Sequence, residues 1–146
     1  MDLRLKGKVV FIAGASRGIG LGMARAFAKE GAKLALTGRG EASLDAAQAL
    51  LIAEGARKAD IITIAGDMTS SAVLAQALDA TEEKLGPVHC AIANVGLGVA
   101  PLGFDVSDAD WEADVKQNLL GGVYLAREAL KRILARAPED RVDANL

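Results

Sequence analysis

Short apolar runs alternate along this chain with longer segments whose apolar residues recur every three or four positions. A continuous apolar run of five or six residues reads as a strand buried on both faces, and the longer period reads as an amphipathic helix. Lys8–Ala13 is predicted as the first strand and Gly18–Lys29 as the first helix, with Ile19, Met23 and Phe27 on one face. Gly31 follows as a C-terminal cap. A strand at Lys33–Thr37 leads to a helix at Glu41–Glu54, with Leu44, Ala47 and Leu51 aligned and Gly55 at its end. Asp60–Ala65 is the third strand. Ser70–Leu85 is the third helix, broken by Gly86-Pro87, and Val88–Ala93 is the fourth strand.

After a glycine-containing loop, one long helix is predicted at Asp108–Ala135. Its packed face would run through Trp111, Val115, Leu119, Gly122, Ala126, Ala129 and Ile133. Strands alternating with helices specify an α/β fold with a parallel sheet covered on both sides. Right-handed crossovers around a first strand that carries a nucleotide loop give the order 3-2-1-4. Residues 1–135 are read as one such domain. The polar segment from Arg136 to Leu146 has no period and is expected to be a frayed tail or loop, and Val142 alone is weak support for a fifth strand. The sheet is therefore expected to stop at strand four.

Composition narrows the class. The chain has 146 residues, 51% hydrophobic and 25% charged, which suits one globular domain with a real core. A net charge of −2 with scattered basic residues argues against nucleic-acid or anionic-membrane partners. The single cysteine, Cys90, has no internal disulfide partner and reads as a small buried hydrophobe. The apolar N-terminal run is too short for a signal peptide, carries Asp2 in its basic flank and meets a glycine loop at once. A cytoplasmic protein is the expectation. The single histidine, His89, leaves metal clusters and Ser-His-Asp chemistry without material and reads as a structural residue.

The candidate chemistry begins at Gly14-Ala15-Ser16-Arg17-Gly18-Ile19-Gly20, between the first strand and the first helix. A strand, a glycine turn and a helix in that order present bare N–H groups to a phosphate. Gly14 allows a sharp turn, Gly18 lets the backbone approach a pyrophosphate, and Gly20 lets the helix pack against the strand. This is a Rossmann-like, doubly wound arrangement. Together with Asp67-Met68-Thr69 after strand three, Asn94-Val95-Gly96 after strand four and Asn118 in the next helix, the loop resembles the short-chain dehydrogenase/reductase family over roughly Lys8 to Leu134. The resemblance implies NAD(P)-dependent interconversion of carbonyls and alcohols.

In that family, a residue matching Asp67 accepts a hydrogen bond from the adenine amino group, and Met68 lends its backbone N–H. The backbone of Asn94, Val95 and Gly96 would line the cofactor ribose. Asn118 would support a proton relay, with a plain surface asparagine as the alternative. Two positions depart from the pattern: Ala13 replaces a threonine and Ala93 a second asparagine, which removes an expected hydrogen bond between strands one and four. NAD-preferring sites place a carboxylate after strand two. Here Gly38 stands there, followed by Arg39, whose guanidinium can grip a 2′-phosphate, with Arg17 close by. NADP is the preferred cofactor and NAD the alternative; two solvated arginines are the plain reading of the same residues.

The proton donor is missing. The family uses a tyrosine with a lysine four residues later, and an orienting serine. The one tyrosine is Tyr124, which has Glu128 four residues on, and no serine follows Ser107. A carboxylate neighbour would raise a phenol's pKa. The chain therefore reads as the cofactor-binding half of an NADP-dependent oxidoreductase, inactive alone, whose carbonyl substrate needs a segment beyond residue 146. The alternative is a dinucleotide-binding module without chemistry, or an interaction domain. A bare edge at strand four and an uncovered long helix predict self-association.

Overall fold

The computed structural model describes residues 3–96 and 104–141. Strands β1 (Val9–Ala13), β2 (Lys33–Gly38), β3 (Ile61–Ala65) and β4 (Val88–Ala93) form a parallel sheet in the order β3-β2-β1-β4. This is the Rossmann-like order expected from the alternation of elements. Helices α1 (Gly18–Lys29), α2 (Glu41–Ala53) and α3 (Ser71–Leu85) connect the strands, and a 3₁₀ turn at Lys58–Asp60 precedes β3. The element boundaries fall within one residue of those expected.

Alternation along β1 sets up two cores. Val9, Phe11 and Ala13 point to one face, where Leu74, Ala77, Leu78, Leu125 and Ala129 cover them. Val10 and Ile12 point to the other and meet Ala24, Leu44, Ala47 and Leu51. All five β1 residues are buried, as a central parallel strand under two helical layers requires. β1 pairs with β4 through an irregularity: Val9 faces Val88, but Val10 faces Cys90. The extra residue, His89, accepts a hydrogen bond from the Val9 N–H on Nδ1 at 3.1 Å. His89 thus takes over a donor that the shifted ladder leaves aside.

The region after β4 departs from expectation. In place of one continuous helix there are α4 (Asp108–Val115), a π-helical turn (Lys116–Leu120) and α5 (Gly121–Ala135). The predicted face is packed only in part: Ala129 is buried and Gly122 and Ile133 are half-buried. Trp111, Val115 and Leu119 are exposed, as is Ala126, and the buried residues of α5 are Gly121, Leu125, Glu128 and Ala129. The segment carries two apolar stripes, and packing against β4 and α3 selects the one that starts at Gly121. Ile19 was also expected to pack with Met23 and Phe27, yet it is 75% exposed, because the buried positions of α1 are Gly20 and Ala24.

Ion pairs hold α5 against α3. Arg132 reaches Asp79, lies 3.8 Å from Glu82 and donates to the Ala75 carbonyl at 3.1 Å. Arg136 meets Glu82 at 2.8 Å, and Glu82 also accepts from the Val88 N–H. Glu128 is buried and paired with Lys131 at 2.9 Å and Arg132 at 3.4 Å. The Lys131 ammonium, with Arg132 and Arg127, holds its carboxyl below the usual range despite burial. In the segment expected to fray, Pro138–Arg141 forms a 3₁₀ turn, and Arg141 donates to the Arg136 and Leu134 carbonyls. Val142, offered as a trace of a fifth strand, and the centre of the glycine-containing loop after β4 lie outside the described residues.

The position of the packed face can be tested by comparing two truncations. Leu125→Ala should cost about 3 kcal/mol in urea unfolding, as a core leucine does. At concentrations dilute enough to keep the chain monomeric, Leu119→Ala should cost less than about 0.5 kcal/mol, as an exposed position does. Equal losses would mean that α5 packs on the other stripe.

Candidate functional site

The carboxyl ends of the four strands open onto a crevice of about 630 Å³. β1 and β4 lie side by side while the chain runs outward in both directions from β1, so the crevice sits where the strand order reverses. Its walls include Gly14, Ser16, Arg17, Gly18 and Ile19 from the first loop and Gly38 and Arg39 after β2. Gly66, Asp67, Met68 and Thr69 follow β3, and Ala93 to Gly96 follow β4. Gln117 comes from the π turn.

The first loop is shaped by main-chain contacts. The Gly14 and Ala15 N–H groups both donate to the Thr37 carbonyl, at 3.0 and 2.8 Å, which ties the turn to β2. Gly14 has φ +84°, a conformation that side chains rarely adopt, and a Cβ there would lie 2.7 Å from the Asn94 carbonyl. A Cβ on Gly20 would lie 2.0 Å from the Gly14 carbonyl oxygen, so only glycine lets α1 start this close to β1. Gly20 is therefore buried behind the loop and supports the crevice without lining it. Gly18, with φ +55°, would point a Cβ into open space.

Among the described residues no side chain caps the start of α1. Arg17 at the N-cap makes no capping bond, and the first turn contains no acid. The amides of that turn and the positive end of the helix dipole therefore face the crevice. A pyrophosphate fits these groups: it supplies the missing acceptors, and Gly18 leaves room for it.

The two departures from the family pattern have a structural answer. With Ala13 and Ala93 apolar, the ends of β1 and β4 are joined through Asn94. Its side-chain amide donates to the Gly14 carbonyl at 2.9 Å, and its N–H donates to the Ala13 carbonyl at 3.1 Å. On the other side of β1, the buried Thr37 hydroxyl donates to the Ile12 carbonyl at 3.0 Å.

One end of the crevice is cationic. Arg17 and Arg39 are exposed there, with Ser16 and Gly38 between them. A Cβ on Gly38 would meet Ser16 Oγ and Leu44 Cδ2 at 3.5 Å, an ordinary contact. Space alone thus does not forbid a larger residue at Gly38. Among the described residues the one carboxylate on the walls is Asp67. Both the N–H and the hydroxyl of Thr69 donate to its Oδ1, at 2.9 and 2.7 Å. These bonds, helped by the charges of Lys116 and Arg39, hold the Asp67 carboxyl below its ordinary range.

Asn118 comes near this assembly without lining it. Its Oδ1 would lie 2.9 Å from a Cβ on Gly96, so it backs the loop after β4. Gln117, next to it, is the residue that reaches the crevice, and sequence reading did not single it out. Thr69 was likewise missed as a wall residue, although it adjoins the Asp67-Met68 pair. Tyr124 is half-buried on α5, with the Arg127 guanidinium 5.4 Å from its ring centroid, and it is not a wall residue. Among the described residues, no group of three metal-ligating side chains comes together.

Residues 8–140 match the family model for the short chain dehydrogenases. The chain is 33% identical over 134 residues to the NADP-dependent (R)-specific alcohol dehydrogenase of Lentilactobacillus kefiri, covering 91% of this chain and 51% of that protein. It is 35% identical over 129 residues to the gluconate 5-dehydrogenase of Gluconobacter oxydans, covering 88% and 48%. A short-chain dehydrogenase/reductase structure from Brucella melitensis superposes with a TM-score of 0.81 at 30% identity, over 90% of this chain and 55% of that one. The chain thus spans about half the length of the curated relatives it matches.

The Asp67 geometry predicts a titration. Thr69→Val removes one donor to Oδ1, so the Asp67 pKa should rise towards about 3.9, its unperturbed value. Because folding lowers this pKa, the carboxylate stabilises the fold fully above that value, and the contribution is lost as pH falls through the folded pKa. In Thr69→Val this acid-dependent loss should shrink. Carbon-detected NMR titration of Asp67 reads both; an unchanged pKa would sink the assignment.

Proposed function

The chain belongs to the short-chain dehydrogenase family, and we propose that it is the cofactor-binding half of an NADP-dependent oxidoreductase interconverting carbonyls and alcohols. The observation that carries this reading is the uncapped start of α1, opening onto a crevice whose walls also carry the guanidinium groups of Arg17 and Arg39. The α1 amides hold the pyrophosphate. Arg39, with Arg17, grips the 2′-phosphate, where a carboxylate would have favoured NAD. Asp67 stays ionised and accepts from the adenine amino group. The main chain of Asn94–Gly96 lines the ribose. When bound, the nicotinamide supplies the hydride.

Carbonyl reduction also needs a proton, and among the described residues the walls carry no group suited to give one. The carboxyl of Asp67 is held ionised at neutral pH by the Thr69 donors. Asn118 can orient a water but cannot act as the acid. Tyr124 lies away from the crevice, beneath Arg127. The chain alone is therefore a binder without turnover, and its carbonyl substrate requires residues that these 146 do not supply. The second reading, a dinucleotide-binding module with no chemistry, shares the same site and is favoured by the same lack of a proton donor.

Self-association follows from the stripe that packing rejected. Trp111, Val115, Leu119, Val123, Leu130 and Leu134 are each exposed, and together they form an apolar line along α4 and α5. The partner that fits is a second copy, running antiparallel. α4 carries Asp108, Asp110, Glu112 and Asp114, and α5 carries exposed Arg127 and Lys131, so reversal sets acidic against basic ends. Among the described residues β4 also forms a sheet edge, but it offers no such charge match. Among them too, no helix is long and apolar enough to cross a membrane, and we assign the protein to the cytoplasm.

Two outcomes test this reading. By fluorescence titration the chain should bind NADPH more tightly than NADH, and Arg39→Glu should weaken NADPH at least tenfold while leaving NADH nearly unchanged. Equal losses would remove the 2′-phosphate assignment. In light scattering the chain should run as a dimer, and Leu119→Glu with Trp111→Glu should give a folded monomer; a wild-type monomer would refute the docking face.

A further inference from the structure

Gln117 has an amide with nothing to bind. It is half-buried, lines the crevice, and among the described residues forms no hydrogen bond. An amide carries two donors and an acceptor, and on the crevice wall these stand available to a ligand.

The π turn explains how it gets there. The Gly121 N–H bonds back to the Lys116 carbonyl, five residues earlier, which widens the helix by one residue at this point. Gly121, four residues after Gln117 and so on the same side, presses against the walls: a Cβ on it would lie 2.9 Å from Val95 Cγ2 and 3.5 Å from Thr69 Cγ2. Lys116, one residue before Gln117, is close enough to Asp67 for its charge to stabilise the carboxylate. Its neighbours thus set Gln117 on the side of the crevice that Thr69 and Val95 wall, with Asp67 adjoining.

We infer that Gln117 reads the adenine base. This rests on the cofactor reading above, in which Asp67 and the Met68 N–H take the amino group and N1. Those contacts use one of the two amino hydrogens and leave N7 unpaired. The remaining N–H and N7 form a donor–acceptor pair that a glutamine amide matches with two parallel hydrogen bonds. Arg17 and Arg39 select the cofactor by its phosphate; Gln117 selects it by its base.

Calorimetric titration with 2′,5′-ADP and its 7-deaza analogue separates this contact from the others, because replacing N7 by carbon leaves the amino group, N1 and both phosphates intact. The wild-type chain should bind 2′,5′-ADP roughly tenfold more tightly than the 7-deaza form. Gln117→Leu should bind the two equally, at the weaker affinity. Equal affinities in the wild type, or a preference that survives in Gln117→Leu, would overturn the role of Gln117 while leaving the cofactor site standing. A wild-type chain that binds neither 2′,5′-ADP nor NADPH would overturn the cofactor reading, and this inference with it.

Discussion

The first turn of α1 lies against the end of the strand that precedes it, and the crevice depends on that approach. The Gly14 carbonyl occupies the space where any side chain at residue 20 would begin. The same carbonyl accepts the Asn94 amide, so β1, α1 and β4 converge on one main-chain oxygen. With these three pinned, the amides at the start of α1 have one direction to face. The cost of exposing them unpaired is offset when an anion arrives, which makes the fold and the binding site a single construction.

The helix that follows the π turn is fixed by charge. α5 lies on the sheet through Leu125 and Ala129, and Arg132 and Arg136 extend from it to the acids and a carbonyl of α3. Glu128 is buried among these cations, and its lowered pKa shows that pairing outweighs desolvation there. Glu128, four residues after Tyr124, is thus a structural member of the α3–α5 seam. Residues that look catalytic by spacing can serve packing alone.

Much of the fold was legible from period alone. β1 is apolar throughout because it is covered on both faces, and the glycine spacing places the tight loop at the crevice directly after it. Legibility failed in the segment after β4, for a physical reason. Trp111, Val115 and Leu119 keep helical spacing, and so do Gly121, Leu125 and Ala129. A regular helix drawn through the first set cannot anticipate a π turn that shifts the phase, and no residue type announces such a turn. Gln117 was missed for the same reason, since its access to the crevice depends on the widened turn. Ile19 was misread because its neighbours Gly20 and Ala24, too small to stand out in an apolar pattern, are the ones that pack.

A pocket walled so largely by main chain is tolerant of evolutionary drift. The peptide N–H and C=O groups that form it are common to nearly all residues, so substitutions elsewhere leave its outline unchanged provided a few glycines persist. That accounts for a chain overlaying its Brucella counterpart at a TM-score of 0.81 with 30% of residues in common. Innovation is then free to accumulate in the few side chains that project over the rim, where ligand preference can change without refolding the scaffold.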